Sequence, residues 1–211
     1  MKTYKYYTGR RQGRLATLGH ASGFTFIELV IVVILLGLLA ATALPRYLNV
    51  TDDAQIASVE GMAGGFSTAV AIAKAKWAAT GHSVGGPTTP ANKVAINLDG
   101  KIIYMNEYGW PADTNANVDS GSDNQSEVEC QEVWDAILHS SPTSTVQRGS
   151  RANARYFISV LSGAGGDDLG NTGDVCRYEL IVNKDASAAP THYFDYDLVD
   201  GQVTVHTPNN I

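Results

Sequence analysis

Residues 20–47 read HASGFTFIELVIVVILLGLLAATALPRY. From Phe26 to Leu44 the run is almost wholly apolar, and its one charged residue is a carboxylate, Glu28, near its start. About 19 residues at ~1.5 Å each give roughly 28 Å, enough for a helix to cross the hydrocarbon core of a bilayer. All five charged residues in the first 23 positions are basic (Lys2, Lys5, Arg10, Arg11, Arg14), and every one of the 21 acids comes later. A secretory signal peptide is cut after its apolar region. Here the small residues Ala21-Ser22-Gly23 come before it, so a cut at Gly23 leaves the run on the mature chain. The basic flank keeps that side cytoplasmic, and everything after Leu44 should face outward. A carboxylate inside a membrane helix costs about 2.5–3.5 kcal/mol on insertion scales and usually has a function. Either Glu28 stays wet at the interface or it meets a positive partner. An α-amino group made at Phe24 by cleavage after Gly23 would be such a partner.

The length of 211 residues fits one domain plus an extension. Without residues 1–23 the chain keeps 10 basic and 21 acidic side chains, net −11. Nonspecific nucleic-acid binding needs clustered Lys and Arg, so no nucleic-acid partner is expected. Cys130 and Cys176 both lie in the part that should be exported. An even count there favours a disulfide closing a loop of 46 residues, with two free buried thiols as the alternative. Such a closure would stabilise by roughly 3–4 kcal/mol in the chain-entropy model.

After Pro45 the pattern stays helical but becomes amphipathic. Ile56, Val59, Ala63, Phe66, Val70, Ala73 and Trp77 form one stripe at alternating spacings of three and four. Gly61, Gly64 and Gly65 argue against a free coiled coil, so the stripe should pack on its own domain and the helix should end near Gly81. Gly85-Gly86-Pro87 is a breaker. VAINLDGKIIYM reads as a hairpin about Asp99-Gly100, and YFDYDLVDGQVTV as a second about Asp200-Gly201. ARYFISVL, near residue 154, and CRYELIVN, residues 176–183, read as strands; Ser126 to Ser140 reads as a short helix. The fold class is therefore α+β: a long N-terminal helical spine packed on an antiparallel sheet head.

Two loops carry many oxygens. Residues 113–124 alternate acids and amides from Asp113, but Val118 stands where a calcium loop needs Gly and Asn124 where it needs Glu, so a solvated loop is the simpler reading. Residues 163–174 form a second acidic, glycine-rich stretch whose glycines read as turn residues. Arg148, Arg151 and Arg155 could bind an anion or an acidic neighbour, though local ion pairs with the surplus of acids are simpler. The five histidines are scattered, and no His-x-x-x-His, Gly-x-Ser-x-Gly or Cys-x-x-Cys occurs. No catalytic, metal or cofactor residue is assigned, and no enzyme activity is expected.

Gly23-Phe24-Thr25-Phe26-Ile27-Glu28, with the basic leader before it and the apolar helix and Pro45 after it, resembles the N-terminal signature of type IV pilins and their pseudopilin relatives. PRYLNVTDDAQ, residues 45–55, is further similar to the mannose-sensitive haemagglutinin (MSHA) type pilins; the strong match covers about residues 23–55. The resemblance implies a leader over residues 1–23, a transmembrane and filament-core helix over 24–45, and a head over 46–211, with amphipathic helix 46–80 and sheet region 92–211. It implies cleavage by a prepilin peptidase between Gly23 and Phe24 and N-methylation of Phe24. Glu28 would neutralise the Phe24 amine of a neighbour during assembly. Gly37 and Pro45 would bracket a stretch that loses helicity in the filament, in keeping with their weak helix propensity. The implied partners are other copies in a helical homopolymer, other pilins, the peptidase, the assembly platform and the inner membrane. The implied role is a surface filament for adhesion and biofilm formation. Two alternatives stand beside it: a minor pilin or type II secretion pseudopilin, and a tip adhesin that stacks carbohydrate on Tyr104, Tyr108 and Trp110.

Overall fold

The computed structural model describes residues 23–185 and 187–208; apart from Gly23, the leader expected over residues 1–23 lies outside the described residues. The chain divides into two compact units, one ending at Leu48 and the other beginning at Asn49. One helix, α1, Phe26–Ala79, contributes to both. It is helical at Gly37 and at Pro45. The loss of helicity attached to the stretch between them concerns the assembled filament, and the single chain keeps the helix there.

In the first unit, Phe26–Leu44 is long and apolar enough to cross a membrane, and none of it is buried. Its side chains find no core of their own, as expected of a helix that is apolar all round.

The second unit holds the core. Val59, Ala63, Phe66, Val70, Ala73 and Trp77 are all buried, while Ile56 at the start of the expected stripe is half-buried. Gly61, Gly64 and Gly65 lie on the exposed side with open space around them. Phe66 is the hub, with ring centroids 4.9 Å from Tyr178, 5.4 Å from Phe194 and 5.3 Å from Tyr196.

The strands fall into two sheets. β1 (Val94–Leu98), β2 (Lys101–Met105) and β3 (Pro111–Asp113) form the first, antiparallel throughout. Asp99 and Gly100 both adopt positive φ, 51° and 87°, as a tight primed turn requires, and Asn97 Oδ1 accepts from Gly100 N. After α2 (Glu127–Ile137), the second sheet takes β4 (Ser144–Thr145), β5 (Tyr156–Gly166), β6 (Thr172–Leu180), β7 (Tyr193–Asp197) and β8 (Val203–His206) in sequence order. α2 opens with a capping box between Ser126 and Glu129, the start read from sequence.

The α+β layout is as expected, but the head holds two sheets rather than one, α2 ends at Ile137 rather than near Ser140, and two strands differ in detail. β4 pairs with β5 in parallel, because a short 3-10 helix, Arg148–Asn153, carries the chain back before β5 begins. The strand read at residues 176–183 begins earlier and ends at Leu180. Most of the glycine-rich stretch 163–174 is therefore strand, with Gly165 opposite Gly173 and Gly166 opposite Thr172. These glycines serve close approach. A Cβ on Gly165 would lie 2.6 Å from the Asp197 carboxylate, and one on Gly173 would lie 2.6 Å from Val199 and 2.9 Å from the Ser122 carbonyl.

Candidate functional site

The N-terminal segment is the candidate site, and it begins with a local device. Gly23 to Thr25 are not helical, and Phe24 is 80% exposed. Glu28 folds back on the first turn of α1: its Oε2 accepts from Thr25 N at 2.9 Å and from Thr25 Oγ1 at 2.8 Å. Thr25 Oγ1 in turn accepts from Glu28 N at 3.3 Å. This is a capping box, which satisfies two donors at the helix start that no intrahelical carbonyl can reach. Among the described residues Oε1 of Glu28 accepts no hydrogen bond, so half of the carboxylate is open to an outside donor. Thr25 was not among the residues singled out from sequence. Its signal was present as Thr-x-x-Glu ahead of an apolar run. Gly37 and Pro45 lie farther along α1 and take no part in this arrangement.

Cys130 on α2 and Cys176 on β6 form a disulfide with Cα atoms 5.7 Å apart. It sits in the core beside Tyr178, whose hydroxyl donates to the Cys130 carbonyl at 3.0 Å.

The other constellations resolve into local pairings. The loop from Asp113 is organised by Lys93. Its ammonium donates to Asp113 Oδ1 and to the Val118 carbonyl, each at 2.9 Å, and also to the Asn115 carbonyl. Burial pushes the Asp113 carboxyl up, against the pull of its hydrogen bonds and of the Lys93 charge. In the second acidic stretch, Asp174 is buried and accepts from Gln125 N and Gly163 N, each at 2.9 Å, while Asp167 accepts from Leu169 N and Asn171 N. Among the described residues no group of three or more His, Cys, Asp or Glu side chains is placed to hold a metal ion.

The arginine group is not assembled as one site. Arg151 is buried in a bidentate pair with Glu179, Arg155 donates to Ser58 Oγ at 3.1 Å, and Arg148 lies over the Phe157 ring. Of the aromatic residues considered for sugar stacking, Tyr104 and Trp110 are engaged within the head. Lys74 lies over both Trp77 and Trp110, Lys93 lies over Tyr104, and Trp110 Nε1 donates to the Val199 carbonyl.

The chain is similar to three kinds of curated protein. It is 33% identical over 131 residues to the type IV narrow pilus major component PilA5 of Thermus thermophilus, covering 62% of this chain and 90% of that protein. It is 31% identical over 115 residues to the type IV major pilin protein PilE1 of Neisseria gonorrhoeae, covering 53% of this chain and 67% of that one. It is 34% identical over 84 residues to the fimbrial protein EcpC of Eikenella corrodens, covering 38% of this chain and 50% of that one. No family model matches the chain, and no solved structure matches it significantly.

Proposed function

The chain belongs to the type IV pilins, and on that premise we propose that it is a structural subunit of an MSHA-like pilus, used for adhesion and biofilm formation. Its relatives are structural pilus proteins, and it is not an enzyme. An apolar N-terminal helix and pilin relatives fit a membrane-anchored precursor and an extracellular filament built with other pilins. A prepilin peptidase cuts between Gly23 and Phe24 and methylates the new amine. The subunit waits in the inner membrane with its head, residues 46–211, on the periplasmic side. The assembly platform then moves helix 24–45 into the filament core, where packing among neighbouring spines supplies cohesion.

The observation that carries this reading is the half-satisfied Glu28 carboxylate at the head of an otherwise apolar, exposed helix. Thr25 holds one oxygen, and a neighbour's Phe24 amine would complete the other. A copy in the wrong axial register leaves that carboxylate unpaired in an apolar core, which is strongly unfavourable. Glu28→Val should insert in the membrane normally yet leave sheared filaments undetectable; filaments at wild-type abundance would refute the pairing. Gly23→Val should accumulate an uncleaved precursor, and mass spectrometry of wild-type filaments should find methylated Phe24 at the N-terminus.

A further inference from the structure

We propose that a pocket in the second unit, flanked by Asp52 and His192, receives the guanidinium of Arg46 from a second copy of this chain in the filament. The proposal rests on the pilus reading above. The pocket has a volume of about 530 Å³. Asp52, Asp53 and Gln55 of α1 face Thr191 and His192 from the β6–β7 connection, and Ile56 supplies an apolar wall. His192 is only 5% exposed, and its Nε2 has no hydrogen-bond partner; Gln55 Oε1 is buried and equally without one. His192 Nδ1 lies 2.9 Å from Thr191 Oγ1. The tautomer that donates from Nδ1 to Thr191 leaves a buried, unpaired lone pair at Nε2 beside the pocket. The polar lining is dominated by the two exposed carboxylates of Asp52 and Asp53, beside Gln55, Thr191 and His192.

Such a lining calls for a cation with several N–H groups. A metal ion is disfavoured because no three of the appropriate side chains come together among the described residues. A guanidinium, with five donors in a planar fork, fits better. Ten cationic side chains follow Gly23 in the sequence. Those from Lys74 to Arg177 are engaged inside the second unit by hydrogen bonds, ion pairs or ring contacts. Among the described residues Arg46 and Lys184 are not, and both are exposed. Lys184 belongs to the connection that borders the pocket in its own chain, yet it does not enter it.

The test uses the full-length chain in cells that assemble its filaments. Sheared-filament yield is read against the membrane pool, and non-reducing gel mobility checks the Cys130–Cys176 bond as a sign of folding. Arg46→Glu should lower filament yield by at least about tenfold, because like charges opposed across an interface are strongly unfavourable. Asp52→Arg with Asp53→Arg should do the same. Combining all three should restore yield to within about threefold of wild type, the non-additivity expected of groups in contact. Lys184→Glu should assemble normally. In filaments built from a mixture of Arg46→Cys and Asp53→Cys chains, an interchain disulfide should appear that neither variant gives alone. Normal assembly of Arg46→Glu, no rescue in the combined variant, or no mixed dimer overturns the docking. Absence of filaments from the wild-type chain would instead strike the pilus reading itself.

Discussion

Lys93 is the side chain that organises the oxygen-rich loop from Asp113. Its ammonium is buried, meets both Asp113 oxygens at 2.9 and 3.3 Å, binds two backbone carbonyls and lies 4.0 Å over Tyr104. The alternating acids and amides from Asp113 read as a solvated loop, and the ammonium that organises it was not legible, because Lys93 lies twenty residues upstream and reaches the loop only once the chain has folded. Thr25 is the converse case, a local capping signal, Thr-x-x-Glu, written in four consecutive residues ahead of the apolar run. Lys93→Met should strand the Asp113 carboxylate and cost about 3–5 kcal/mol, whereas Lys93→Met with Asp113→Leu should recover most of that loss, since paired removal leaves no buried charge. Denaturant unfolding of the two variants decides it: equal destabilisation would mean that the loop does not depend on the pair.

At the scale of elements, what could be read locally was read. The stripe from Val59 to Trp77, the hairpin about Asp99-Gly100 and the start of α2 at Ser126 each rest on a period or a turn within a few residues. β4 could not be read, because two residues carry no period and the strand exists only through its parallel pairing with β5. Residues 163–174 misled because glycine serves two purposes. Here it mostly lets strands pass close to Asp197 and Val199, and only the short turn between β5 and β6 remains of the expected loop. The disulfide ties α2 to β6 across 46 residues. Changing both cysteines to serine should cost about 2–5 kcal/mol, the usual loss for a native bridge in an exported domain. An unfolding midpoint that moves by less than the measurement error would show that the aromatic cluster around Phe66 holds α2 in place unaided.

At the scale of the whole molecule, the acid surplus after Gly23 makes pH a sensitive probe, and the groups that shift do not all pull the same way. Burial holds His192 below its ordinary value of 6.5, with the nearby Asp52 charge pulling the other way. The unfolded chain therefore takes up this proton first. Its contribution to stability is fully present above pH 6.5 and is lost as pH falls toward the folded-state value. Asp167 and Asp185 are held below the usual 3.8 by hydrogen bonds from Asn171 and Ser187 respectively. Their contribution is present above 3.8 and is lost as pH falls further. Asp113 has the opposite sign: burial raises its carboxyl, so its protonation on the way down relieves a cost. Stability of the full-length chain in mild detergent should thus decline in two stages on acidification, the first beginning near pH 6.5 and the second below 3.8. His192→Gln removes the titrating group while keeping a polar side chain, so it should flatten the first stage and leave the second. A first stage that survives in His192→Gln would assign it to another group and would remove the buried, neutral imidazole from the description of the Asp52 pocket.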